Sequence, residues 1–120
     1  REAFSRNSVN RACPISLSTI NRRNAYGETL LHRAAAHQDI DLVHNIVEIG
    51  GNVNVQDYAG WTALHTASVE GFYEIANALL KAGADVNVRG GDQVTPLQDA
   101  VKEGHYEVYS NLNRNCGLGI

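Results

Sequence analysis

The chain has no methionine, one tryptophan, two prolines and two cysteines among its 120 residues. Each scarcity excludes something. Cys13 and Cys116 form no C-x-x-C pair and no zinc spacing with a histidine, so neither a disulfide framework nor a zinc finger fits. They read as reduced thiols in an intracellular protein, with a bridge between the two ends as the alternative. No apolar run approaches the ~20 residues that span a bilayer, and Ala34–Ala35–Ala36 is as long as any. No membrane partner is expected. Arg1–Phe4 offers neither a starting methionine nor the apolar core of a signal peptide. The chain therefore reads as an excised piece of something longer, monomeric in isolation.

Hydrophobic residues make up 43% and charged residues 19%, which suits one globular domain and argues against disorder. The net charge of −3 is unevenly spread. Residues 1–23 carry five arginines against Glu2, a net +4, while residues 24–120 carry twelve carboxylates against five basic groups, a net −7. Residues 1–23 read as a basic linker and partial cap, not as a DNA-binding arm. The acidic body disfavours nucleic acid and attracts a basic peptide.

A 33-residue period organises the rest. Residues 24–56, 57–89 and 90–120 align, the last one degenerate. Thr29, Thr62 and Thr95 recur, as do Leu31, Leu64 and Leu97, and Ala34, Ala67 and Ala100. Gly50 matches Gly83, and Asn54 matches Asn87. Each threonine can cap a short inner helix, over about 30–37, 63–70 and 96–103, and Pro96 suits the first helical position. Gly71 and Gly104 permit tight reversals. Outer helices follow over about 40–49, 73–82 and 106–113, with Leu42, Val43, Ile46 and Val47 forming one apolar face. Gly50 and Gly83 end them, and Val53–Asn54–Val55 and Val86–Asn87–Val88 open extended fingers. Ile15, Leu17 and Ile20 are placed to cover the first unit.

Gly27–Glu28–Thr29–Leu30–Leu31–His32, Gly60–Trp61–Thr62–Ala63–Leu64–His65, Val94–Thr95–Pro96–Leu97–Gln98 and Gly83–Ala84–Asp85–Val86–Asn87 carry a resemblance to the ankyrin repeat family over about residues 24–112. The resemblance implies an all-α solenoid of about three helix–loop–helix repeats with finger loops, which binds partners and does not catalyse. The third unit departs from the pattern. Gln98 replaces histidine, and Asn111 and Asn113 stand where the family places apolar side chains, so the last outer helix is expected to be frayed or a polar cap.

Catalytic and metal chemistry find no purchase. His32 and His65 occupy equivalent helix positions that suit a bond tying helix start to loop, while His37, His44 and His105 scatter. No H-E-x-x-H or other paired ligand set exists. Gly90–Gly91 lacks the Gly-Lys-Ser/Thr of a phosphate cradle and reads as a flexible fingertip. Asp39 and Asp41 suit the positive end of a helix dipole. Neither cofactor nor small-molecule substrate is expected.

A protein or peptide partner is, and periodicity places the candidates. The position after each Leu-His or Leu-Gln pair points away from the outer helices, giving Arg33, Thr66 and Asp99; one turn later stand His37, Glu70 and Glu103. The fingers add Tyr26, Asp57, Tyr58, Trp61, Asp92 and Val94. Large loop aromatics are frequent anchors, and packing between adjacent fingers is the competing reading for Tyr58 and Trp61.

The segment Asp57–Tyr58–Ala59–Gly60–Trp61–Thr62 is similar to the second finger of the Tonsoku-like group of nuclear ankyrin domains. That likeness implies a concave face holding a histone H4 tail, with acidic residues around an unmodified lysine. Asp57, Trp61, His65 and Asp99 match; Thr66 and Val69 replace the acid and the asparagine of that pattern. Asn21–Arg22–Arg23–Asn24 and Gly71–Phe72–Tyr73 resemble the large vertebrate ankyrin repeat domain-containing proteins, which implies a nuclear scaffold of meiotic recombination.

Overall fold

The computed structural model describes residues 17–115. Seven helices follow one another among them: α1 (Leu17–Ile20), α2 (Leu30–Ala36), α3 (Ile40–Glu48), α4 (Ala63–Glu70), α5 (Tyr73–Lys81), α6 (Pro96–Glu103) and α7 (Tyr106–Asn115). Inner helices α2, α4 and α6 stack as one layer, outer helices α3, α5 and α7 as a second, and each inner helix packs on its own outer partner. The 33-residue period thus becomes a solenoid of helix pairs.

The caps explain why each helix starts where it does. Thr62 Oγ1 accepts the His65 amide at 3.3 Å, and Thr95 Oγ1 accepts the Gln98 amide at 3.3 Å. In return, the Thr29 amide donates to His32 Nδ1 at 3.0 Å and the Thr62 amide to His65 Nδ1 at 3.2 Å. These reciprocal bonds satisfy donors that a helix start leaves open. Asp39 caps α3 by accepting the Leu42 amide. Gly71 and Gly104, both at φ +77°, reverse the chain between inner and outer helices.

The core runs between the layers. Ala34, Ala35, Ala67 and Ala100 are buried and small, which lets inner helices approach closely; Val43, Ile46, Ile75, Leu79, Val108 and Leu112 fill the outer seam. Ile20, 3% exposed, joins the same buried core. Ile15 lies outside the described residues.

The fingers form a side-chain ladder at 33-residue spacing. Arg23 Nη1 donates to the carbonyls of Gly27 and Gln56, and Gln56 Nε2 to those of Gly60 and Arg89. Each such side chain ties its own fingertip and the next finger together, which fixes the fingers' spacing.

Two expectations change. α7 is a complete ten-residue helix. Asn111 is buried in it and donates from Nδ2 to Asn77 Oδ1 of α5 at 3.1 Å, so a polar pair occupies the apolar position. Gly90–Gly91 is not merely flexible. Gly90 is buried, and a Cβ there would meet the Trp61 ring at 2.5 Å. Its missing side chain is what lets the second finger pack on the third.

Candidate interaction site

Of the sequence-derived candidates, Tyr26, Asp57, Tyr58, Trp61, Thr66 and Glu70 fall into two depressions. The first lies across the tips of the first two fingers and encloses about 460 Å³, lined by Ala25, Tyr26, Glu28, Asp57, Tyr58 and Ala59. Tyr26 is 73% exposed and Tyr58 71%, so neither ring is used up in the core. The Tyr58 amide donates to the Tyr26 carbonyl at 3.0 Å. The Tyr58 ring covers Gly27, where a Cβ would come within 2.5 Å of it. The Arg23 guanidinium stands 5.8 Å from the Tyr58 centroid, within reach of a cation–π attraction. Asp57 is committed to its own loop: Oδ1 accepts the amides of Ala59 at 3.0 Å and Trp61 at 2.9 Å.

The second depression lies on the concave face of α4. Trp61, His65, Thr66, Val69 and Glu70 enclose about 180 Å³. The indole meets the His65 ring edge-on, with centroids 5.1 Å apart and planes at 74°. Trp61 is half-buried and backed by Gly90, so it is a held platform and also the inter-finger packing that was the competing reading. His65 is fully engaged: Nδ1 faces the Thr62 amide, and Nε2 donates to the Val94 carbonyl at 2.9 Å. That arrangement defines the neutral tautomer with the proton on Nε2. Burial lowers the His65 pKa, partly opposed by the Val94 carbonyl and the Asp99 carboxylate.

Asp99, on the neighbouring inner helix, is 7% exposed, and its Oδ2 has no hydrogen-bond partner. Burial pushes its pKa up, with His65 and Lys102 pulling the other way. The structure therefore joins Trp61, Thr66 and Glu70 in one cleft and Tyr26, Asp57 and Tyr58 in another. Arg33, Val94, Asp99 and Glu103 line neither, and Val94 contributes its carbonyl. Val69, read in the sequence only as a departure from a pattern, is a cleft wall 36% exposed. Its spacing of three from Thr66 was the available signal. No group of three or more His, Cys, Asp or Glu converges among the described residues, and no helix is long and apolar enough to cross a membrane.

Comparison with known proteins agrees with this architecture. A family model of ankyrin repeats in three copies matches residues 3–90. The chain is 63% identical over 45 residues to human ankyrin repeat domain-containing protein 31, covering 38% of this chain and 2% of that protein. The mouse protein of the same name is 55% identical over 42 residues, covering 35% and 2%. Tonsoku-like protein of Danio rerio is 49% identical over 39 residues, covering 32% and 3%. Matched segments thus span only a few hundredths of these relatives' lengths. The period, the reciprocal helix caps, the two-layer stack and the family match together show that this chain belongs to the ankyrin repeat family, whose repeats mediate protein–protein interaction.

Proposed function

We propose that the chain is the protein-binding module of a larger nuclear scaffold, gripping its partner with the first two fingertips and the concave face of α4. The carrying observation is the fingertip groove, where Tyr26 and Tyr58 stay more than two-thirds exposed above a backbone fixed by their own hydrogen bond. Rigid exposed aromatics supply contact area at small entropic cost. Meiotic recombination as the setting is supported by the likeness to ankyrin repeat domain-containing protein 31 alone.

Affinity capture from nuclear extract tests the reading. Tyr26→Ala and Tyr58→Ala, with unchanged circular dichroism, are expected to lower capture of the same partner about tenfold or more, the scale of an anchor worth ~1.4 kcal/mol or above. Undiminished capture by both variants places the binding face elsewhere.

A basic tail, such as that of histone H4, is the second reading. The buried Asp99 oxygen without a partner favours it, together with the net −7 of residues 24–120. Calorimetric titration with an H4-tail peptide decides: no heat at submillimolar peptide ends it.

A further inference from the structure

We infer that the fingertip groove takes a proline-rich segment in the polyproline II form, with a basic residue beside its prolines. This partner class deepens the proposed binding face and rests on it. The backbone of the groove is already committed. Tyr26, Glu28, Asp57, Tyr58 and Ala59 all donate their amides within the two fingers. The carbonyls of Tyr26, Glu28 and Asp57 in turn accept the amides of Tyr58, Asn24 and Gly60. A strand added edge-on needs a row of open N–H and C=O groups, and this lining does not present one.

What the groove presents is side chains. Tyr26 and Tyr58 offer two exposed rings and two phenolic O–H groups without partners among the described residues. The Tyr58 ring is held against Gly27, and the small Ala25 and Ala59 leave room beside the rings. Such a lining matches a chain that brings carbonyls but few N–H groups. Proline carries no N–H. Polyproline II makes no internal hydrogen bonds, so its carbonyls are open to the phenolic donors. Its preset backbone also loses little freedom on docking against aromatic rings. Any other extended segment lays N–H groups on rings that accept them poorly.

The rim sets the charge. Glu28 Oε1 accepts from Asn24 Nδ2 at 2.9 Å, and Asp57 Oδ1 holds its own loop. Their second carboxylate oxygens have no partner among the described residues. Arg23 is engaged by the carbonyls of Gly27 and Gln56 and by the Tyr58 face. Two carboxylates against one guanidinium leave the rim at a net −1, on a body of net −7. A lysine or arginine flanking the prolines meets this rim favourably, and an acidic residue does not.

The probes are an acetylated oligoproline ending in arginine, the same peptide ending in glutamate, and a glycine-serine peptide of equal length ending in arginine. Each is titrated to millimolar concentration into the 120-residue chain, read by amide chemical shifts. The arginine-ended oligoproline is expected to shift Ala25, Tyr26, Tyr58 and Ala59 saturably. The glutamate-ended form is expected to bind at least about threefold more weakly, the scale of an exposed ion pair, and the glycine-serine peptide not to saturate. Tyr26→Phe, which keeps the ring and removes the O–H, is expected to weaken binding with circular dichroism unchanged, and Glu28→Gln to narrow the arginine-over-glutamate difference. Equal response to the glycine-serine peptide overturns the proposal, as do shifts centred on α4 instead of the fingertips. Silence with both oligoprolines also overturns it. If Tyr26→Ala and Tyr58→Ala still lower partner capture in that case, the groove holds a segment of another kind and the wider reading stands; if they do not, both fall.

Discussion

His65 donates from Nε2 to the Val94 carbonyl at 2.9 Å across 29 residues, while its Nδ1 accepts the Thr62 amide of its own helix start. His32 repeats the relation with Trp61 at 2.9 Å. One ring thereby caps a helix and holds the next finger. Gln98, at the same place in the third unit, accepts the Thr95 amide at 2.9 Å through Oε1. His65→Gln can therefore keep the cap while giving up the finger. It should cost about 1 kcal/mol, one net hydrogen bond, whereas His65→Ala should cost about 3 kcal/mol by leaving buried groups unpaired and a void. Urea unfolding midpoints measure both. Equal losses would deny the double role.

The same ring sets an acid limit. Its folded pKa is lowered from 6.5 by burial, so the folded state binds fewer protons than the unfolded one. The stabilisation is fully present above the unfolded value and disappears as pH falls through the folded one. Stability measured between pH 8 and about pH 5 should decline more in the parent chain than in His65→Gln. Parallel curves would contradict it.

Asp99 runs the other way. Its folded pKa is raised from 3.8 by burial. Its stabilising contribution is present below the unfolded value and is lost as pH rises through the folded one. Asp99→Asn should therefore raise the melting temperature at pH 7 by a few degrees, corresponding to about 0.5–1 kcal/mol, with the gain vanishing in acid. A lower melting temperature at pH 7 would mean the carboxylate has a partner in solution.

Two glutamines sit in backbone better suited to glycine. Gln38 has φ +59° where Gly71 and Gly104 stand in the other units, and Gln93 has φ +63° at the place of Gly27 and Gly60. The left-handed region costs a side-chain-bearing residue about 1–2 kcal/mol, against up to ~1 kcal/mol of added chain entropy for glycine. Gln38→Gly and Gln93→Gly should each stabilise by about 0.5 kcal/mol in chemical unfolding. Destabilisation would reveal a role for the amide.

Gly90→Ala probes the second finger's packing. Its Cβ would meet the Trp61 ring at 2.5 Å, so the indole must move. A loss of about 1–3 kcal/mol and a red-shifted tryptophan emission are expected; an unchanged spectrum would show that the two fingers are not in contact.

Most of the fold was legible because its determinants are local and repeat. Thr62, Pro96, Gly71 and Gly83 each announce a cap or a turn from their own backbone chemistry, and the 33-residue period says they stack. What escaped depends on contacts between units. Asn111 reads as a polar residue in an apolar seam until Asn77 is found across from it. Gly90 reads as slack until the Trp61 ring is seen against it. The site divided likewise. Tyr26 and Tyr58 were evident as loop aromatics, and the wall at Val69 was signalled by its spacing from Thr66 within one unit, but the burial of Asp99 emerges only when neighbouring units pack.

The binding face itself is best tested by hydrogen exchange and hydroxyl-radical footprinting of the chain alone and bound to its captured partner. Protection should fall on Tyr26, Tyr58 and Trp61 and leave the outer helices unchanged. Protection centred instead on exposed outer-helix residues such as Asp41, Glu48, Lys81 and Tyr106 would contradict the account.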